Sequence, residues 1–153
     1  ALTESSLVGS GQGSLSVPAN GFKVGDSFNV TMWGHINSRN NHKLRIRVKS
    51  GAVVLADTGL ITMPQCTVKH WNLEVRFTIR AIGIATVASI CSAAQFTYTK
   101  DASNAFEGAD STIIENTTFN TTIPNSLDIT AQWDTADTLD SIYSECFILT
   151  KTY

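Results

Sequence analysis

The sequence predicts an all-β protein built as an antiparallel β-sandwich. Apolar and polar residues alternate strictly from Trp71 to Arg80, which is the period of a strand with one buried and one solvent-exposed face. Comparable alternating segments recur at intervals of about 10–15 residues and are separated by Gly, Pro, Asn and Asp. No segment shows the three- and four-residue spacing of an amphipathic helix. An apolar strand face must pack against a second layer, so two sheets are predicted.

The strand pattern also narrows the architecture. Most segments alternate instead of forming the continuous apolar runs typical of a parallel α/β sheet. The sequence has no internal repeat, which argues against a propeller or a β-helix. We therefore predict one domain of about 8–10 antiparallel strands, arranged as a sandwich or jelly roll.

The first half of the chain begins with a segment that differs from the rest. Residues 1–13 are rich in Gly and Ser, and we interpret them as an N-terminal arm or linker before a head domain at 14–153. Gly34 indicates a bulge, and the polar stretch 37–42 is predicted to be a loop. The strands predicted in this half lie at 14–17, 28–33, 43–49, 52–56 and 61–63.

The second half begins with the strand around which the prediction is organised, at 69–82. Gln95–Thr99 is either a separate strand or the continuation, across a bulge, of a strand at 84–92. Loops are predicted at 100–110 and 134–140. The remaining predicted strands are a weak one at 111–123 and two further ones at 126–133 and 141–153.

The alternation also predicts which side chains form the core, because every second residue of a strand points to the same face. The predicted core residues are Leu44, Ile46, Val48, Leu73, Val75, Phe77, Ile79, Leu127 and Ile129.

The composition argues against several classes of partner. Charged residues make up only 16% of the chain and the net charge is −2, which gives no electrostatic basis for binding nucleic acid. No apolar run approaches the roughly 20 residues of a membrane-spanning helix. We therefore expect no nucleic-acid partner and no membrane insertion.

The residues that could carry chemistry are scattered. Cys66, Cys91 and Cys146 form no CxxC motif, so zinc is not expected, and small core residues are favoured over a disulfide. His35 and His42 flank one polar loop without an obvious third metal ligand. The Asp-rich stretch 134–140 lacks the regular spacing of a calcium loop. No catalytic motif is present, so we predict a protein that is not an enzyme and holds no cofactor or metal.

One strand carries a stripe of cations on its polar face, formed by Lys43, Arg45, Arg47 and Lys49. Such a stripe could bind an acidic glycan or a partner subunit. The more common arrangement is a solvated face that is balanced by a neighbouring acidic strand.

Several segments resemble a family of virion surface domains found in spike, fibre and tail proteins of DNA viruses and phages. The segments are Gly11–Asn20, Val24–Phe28, Leu44–Gly51, Leu55–Gly59, Asn116–Asn120, Leu127–Trp133 and Phe147–Tyr153. The heads of this family are similar to the jelly roll of tumour necrosis factor and C1q. The resemblance implies a homotrimeric head at the virion surface, but it carries no motif of binding residues.

The expected role is therefore structural and host-attaching. The resemblance implies contact with a host-cell receptor, either a glycan or a protein, and with other virion proteins through the N-terminal side. The alternative is a secreted or cell-surface lectin-like β-sandwich of cellular origin. The region upstream of this chain would separate the two, since a fibrous shaft favours the first and a signal peptide the second.

Receptor contact is expected at the two longest polar breaks between strands, because binding residues concentrate on loops held by a rigid scaffold. The candidate receptor-binding residues are Arg39, Asn40, Asn41, His42, Asn104 and Phe106.

Trimer contacts are expected along the C-terminal strand, which is apolar on both parities. Strict alternation places Ile142, Cys146 and Ile148 on one face, and Tyr143 with Phe147 on the other. A strand that is apolar on both sides needs a second partner, and aromatic residues are enriched at interfaces. The alternative is that tyrosines at this strand cover the open end of the sandwich. The candidate interface residues are Phe96, Tyr98, Tyr143, Phe147, Leu149 and Tyr153.

Overall fold

Two antiparallel sheets pack face to face in the structure, a computed structural model that describes residues 2–9 and 16–152. The strands of the described residues are β1 (Ser5–Ser6), β2 (Ser16–Val17), β3 (Ser27–Ser38), β4 (Lys43–Ser50), β5 (Val53–Asp57), β6 (Ile61–Thr62), β7 (Cys66–Ala81), β8 (Ser89–Thr99), β9 (Phe106–Asn116), β10 (Asn125–Trp133) and β11 (Ser141–Thr152). A short 3-10 turn at Ala102–Asn104 is the one helical element among these residues. The predicted all-β antiparallel sandwich is confirmed.

The strand order within each sheet differs from the order along the chain. One sheet runs β1-β10-β4-β5, with β2 also pairing with β10 and β6 with β4, and the other runs β11-β3-β7-β8-β9. Three antiparallel pairs are nested along the chain: β4 pairs with β5, β3 with β7, and β2 with β10. The last two strands lie beside β3 and β4, which belong to different sheets: β10 pairs with β4, and β11 pairs with β3.

The core lies between the sheets and follows the predicted alternation. In β7, Leu73, Val75, Phe77 and Ile79 are buried while the residues between them are not, since one strand face packs against the opposite sheet. All of the predicted core residues are buried. Trp71 on the same strand is fully buried as well and packs against the ring of Phe96, with ring centroids 5.9 Å apart.

A β-bulge in β11 changes which of its residues point inward. The register with β3 shifts between Ser144 and Cys146, opposite Gly34. A Cβ atom on Gly34 would overlap the carbonyl oxygen of Tyr143, so the bulged strand can approach β3 only because residue 34 has no side chain. The bulge expected from Gly34 therefore lies in the neighbouring strand.

The predicted parity of β11 is consequently wrong. Beyond the bulge, Phe147 and Leu149 lie opposite the buried Met32 and Val30, so they share the inward face with Ile142. Cys146 and Ile148 lie on the outward face with Tyr143. Strict alternation fails here because one additional residue, inserted without a partner, reverses the facing of everything after it.

Two predicted boundaries are also corrected, and one open alternative is decided. The strand predicted to begin at 84 begins at Ser89, and Gln95–Thr99 continues it, but without the expected bulge, because the pairing from Ser92 to Tyr98 is regular. The predicted loop at 100–110 ends at 105, because β9 begins at Phe106. That strand is an edge strand with Gly and Asp in its sequence, a composition that resembles a loop.

The described part of the predicted N-terminal arm, residues 2–9, lies along the six-stranded sheet. Ser5 and Ser6 pair with β10, and Leu7 and Val8 pack against the core. Residues 10–13 lie outside the described residues, and the domain boundary at residue 13 stays a prediction.

Glu4 fastens this segment to the cationic stripe. Its carboxylate accepts a hydrogen bond from the Thr130 hydroxyl and ion-pairs with Arg47 at 3.1 Å and Lys49 at 3.2 Å. The neighbouring Arg45 ion-pairs with Asp57. The stripe is thus balanced by acidic side chains, as in the more common of the two arrangements considered.

The Glu4 contacts predict a specific pH dependence of stability. The Thr130 hydrogen bond, helped by Arg47 and Lys49, lowers the pKa of Glu4 from 4.5 to about 2. A depressed carboxyl pKa stabilises the fold above pH 4.5, and this contribution is lost as the pH falls towards about 2. Urea titrations of the wild type and Glu4→Gln should therefore differ most near neutral pH and converge near pH 2. A difference that does not change with pH would contradict this assignment.

The cysteines are free thiols, as favoured from the sequence. Cys66 is buried in the core, where burial raises the pKa of its thiol. Cys91 and Cys146 are partly buried.

Candidate binding surface

Four loops meet at one end of the sandwich. The β3–β4 loop contacts the β6–β7 loop, residues 63–65, through Asn41, whose N–H donates to the Met63 carbonyl at 2.8 Å. The loop after β8 contacts the same segment through Asp101, whose N–H donates to the Gln65 carbonyl at 3.0 Å. The two loops predicted to bind a receptor therefore lie at the same end, on either side of residues 63–65.

The fourth loop, residues 134–140, holds the β3–β4 loop in place. His42 Nδ1 lies 2.6 Å from the carboxylate of Asp140, which also accepts the N–H of Arg39 at 2.9 Å. Asp137 ion-pairs with Arg39 at 2.7 Å. Sequence reasoning missed these contacts, because the partners are about 100 residues apart in the chain. Of the predicted residues in this loop, Arg39, Asn40 and Asn41 remain exposed, and His42 is partly buried.

The aspartates at this end serve as hydrogen-bond acceptors for the loops. The N–H of Leu139 lowers the pKa of Asp137, and the N–H of Lys43 lowers the pKa of Asp134. The Thr67 hydroxyl and N–H do the same for Asp101. Within residues 2–9 and 16–152, no three His, Cys, Asp or Glu side chains are grouped so that they could hold a metal ion.

The other two receptor-binding candidates, Asn104 and Phe106, are both exposed. Asn104 accepts a hydrogen bond from the ammonium of Lys69. Phe106 opens β9 and is 81% exposed on the outer face of the five-stranded sheet, where it pairs with Thr99 of β8. An aromatic ring this exposed contributes little to the fold, so it is available for binding.

The outer face of the five-stranded sheet also carries a group of aromatic and apolar side chains, which we call the outer patch: Trp33, His35, His70, Tyr143 and Ile148. Tyr143 and Ile148 are each more than half exposed, and Trp33 is 42% exposed. The rings of Tyr143 and His35 stack with centroids 4.8 Å apart. The sequence signal for this patch is the position of Trp33, which shares the outward parity of β3 with the polar residues Asn29 and Thr31.

The structure corrects part of the predicted trimer interface. Phe96 and Tyr98 are buried in the core of the chain itself, and the Tyr98 hydroxyl donates to Glu107 at 3.0 Å. Phe147 and Leu149 face inward after the bulge and pack against the core. Tyr143 lies on the surface, as predicted, while Tyr153 lies outside the described residues.

The space between the sheets offers little room for a ligand. An apolar cavity of about 20 Å3, bordered by Phe22, Phe77 and Phe119, has the volume of about one water molecule. In the part of the chain that the structure describes, no helix is long and apolar enough to cross a bilayer.

Comparison with known proteins identifies no relative. No family model matches the chain, and the searches of curated proteins and of solved structures found no match.

Proposed function

We propose that this chain is a non-enzymatic head domain that assembles as a homotrimer at the surface of a virus particle and binds the host-cell surface. The observation that carries the proposal is the outer patch. Its aromatic rings lie on a sheet face that a monomeric sandwich leaves in water, where polar side chains are the norm. Exposed aromatic residues grouped in this way are typical of protein interfaces.

The nested strand pairs support the jelly-roll form of this proposal. A long antiparallel ribbon that rolls up into two sheets pairs its innermost strands first and its outermost strands last. The pairs β4–β5, β3–β7 and β2–β10 follow that order. In this interpretation β8 and β9 are an inserted hairpin that widens one sheet, and β11 lies at the edge of that sheet.

The position of the N-terminal segment favours the sheet face as the receptor-binding surface. The N–H of Leu2 donates to the carbonyl of Trp133 at 3.1 Å, and Trp133 pairs with Leu44 beside the loop end. A virion protein connected through the N-terminal side would therefore lie near the four loops. We accordingly place receptor contact on the outer face of the five-stranded sheet, with Phe106, and assign the loops a structural role.

The alternative function, a secreted or cell-surface lectin-like module, is favoured by the exposed ring of Phe106. Capsid or tail genes beside the reading frame would support the viral proposal, whereas a signal peptide upstream would support the alternative.

Light scattering tests the assembly. The purified domain at micromolar concentration is expected to have three times the chain mass of 16.5 kDa. The double variant Trp33→Glu, Ile148→Glu should be a monomer with an unchanged circular dichroism spectrum, because it places desolvated charges in the contact. Leu139→Glu, in an exposed loop position, is the matched control and should remain trimeric. A wild-type mass near 16.5 kDa would overturn the trimer.

A further inference from the structure

Two hollows lie end to end on the outer face of the five-stranded sheet. The first, of about 300 Å3, is lined by His70, Asn72, Thr97, Tyr98, Thr99 and Phe106. The second, of about 360 Å3, is lined by Glu74, Arg76, Ala93, Gln95, Asp110 and Thr112. Together they follow β8 from Thr99 to Ala93, about 20 Å at the rise of a β-strand. We call this surface the β8 groove.

Small residues keep the floor of the groove low on both sides of Gln95. The outward side chains of β8 include Ala93 and Thr97, one on each side of the longer Gln95, and Gly108 of β9 lies opposite Thr97. A Cβ atom at Gly108 would overlap the carbonyl oxygen of Phe96, so this position admits glycine alone without a backbone shift. The longer side chains of β7 and β9 form the two walls.

The walls and the floor of the groove carry hydrogen-bonding groups that the fold does not use. Within the described residues, the side chains of Asn72, Gln95 and Arg76 hydrogen-bond to no other group. The Glu74 carboxylate accepts the Thr31 hydroxyl, and Asp110 accepts the Thr112 hydroxyl, which leaves lone pairs on both carboxylates. The groove thus presents donors and acceptors along one half and an exposed ring, Phe106, at the other end.

We propose that the β8 groove binds a neutral oligosaccharide of the host-cell surface. An exposed aromatic ring packs against the apolar face of a sugar ring, while amides and carboxylates hydrogen-bond to its hydroxyl groups. Glu74 and Asp110 carry two negative charges against the one positive charge of Arg76, so the groove is weakly acidic and disfavours an anionic saccharide. This inference rests on the proposed binding role and does not require the trimer or the virus particle, although His70 places one end of the groove at the border of the outer patch.

Two other occupants fit the groove less well. An extended peptide pairs with a free sheet edge through its backbone, whereas the groove lies on the sheet face, where backbone groups are already paired. The other possible occupant is a second copy of the chain. If a second copy covered the groove, substitutions in the groove would change the oligomeric state.

Titration with neutral hexasaccharides of glucose, galactose, mannose and N-acetylglucosamine tests the proposal. At least one is expected to bind the isolated domain with a Kd of about 0.1–5 mM by calorimetry. The amide NMR signals that shift should belong to β7, β8 and β9. Phe106→Ala should weaken binding at least about tenfold and leave the melting temperature unchanged, because the ring is exposed.

Ile84→Ala is the control, since Ile84 is another exposed apolar residue and lies in the turn at the opposite end of the sheet. It should bind like the wild type. Failure of all four sugars to bind at about 10 mM, or full binding by Phe106→Ala, would overturn the groove. If the Phe106→Ala variant has a different mass from the wild type in light scattering, the groove is instead part of a contact between subunits. A monomer that binds sugar refutes the trimer alone, and a trimer that binds none refutes the groove alone.

Discussion

Gly34→Ala is expected to destabilise the domain by at least about 3 kcal/mol, the upper part of the range for overpacking a tight site. The new methyl group would overlap the carbonyl oxygen of Tyr143, which belongs to the backbone and cannot move to another rotamer. Relief requires β11 to separate from β3 at its bulge. A urea titration followed by circular dichroism, at fixed protein concentration, measures the loss.

Gly51→Ala is the control for this experiment. Gly51 has a φ of +58° and no atom near the position of a Cβ, so alanine there costs only the backbone strain of about 1–2 kcal/mol. If Gly34→Ala is no more destabilising than Gly51→Ala, the close approach of β11 and β3 is not as described.

The second large effect is expected at Trp71. Its indole N–H donates to the carbonyl of Tyr143 at 3.0 Å and lies 3.2 Å from that of His35. Trp71→Ala should cost about 3–5 kcal/mol, because it leaves a cavity in the core. Trp71→Phe retains most of the apolar volume but leaves the Tyr143 carbonyl without its donor. A loss of about 1–3 kcal/mol in the free energy of unfolding is therefore expected.

Trp33→Phe provides the comparison, since Trp33 lies on the surface and its N–H has no described partner. A change within about 0.5 kcal/mol is expected there at a concentration where the assembly state is unchanged. Equal losses for Trp71→Phe and Trp33→Phe would show that the hydrogen bond to the bulge contributes nothing.

The fold class and the core could be predicted because both depend on local periodicity. The alternation in β7 alone identified which of its residues are buried, since the side-chain period of a strand is fixed. The same reasoning failed in β11, where the bulge depends on Gly34, a residue more than 100 positions away. Parity can be read from a strand only while its pairing remains regular.

The candidate binding surface could be predicted only in part. The two polar loops were identified, but their contacts with Asp137 and Asp140 depend on the topology of the sheets. The β8 groove could not be predicted, because the sequence does not reveal which strands are neighbours in the sheet. Its floor depends on Gly108, which was interpreted as part of a loop.

The bulge in β11 has a consequence for aggregation. β11 is an edge strand of 12 residues, and a long regular edge is a template on which further chains can add strand by strand into a fibre. The bulge divides its ladder into Ser141–Ser144 and Cys146–Thr152 and leaves the charged Glu145 between them, paired with His35. Neither part is long or flat enough to grow an open-ended sheet easily. The irregularity that turns Phe147 and Leu149 inward therefore also protects the protein against amyloid-like polymerisation.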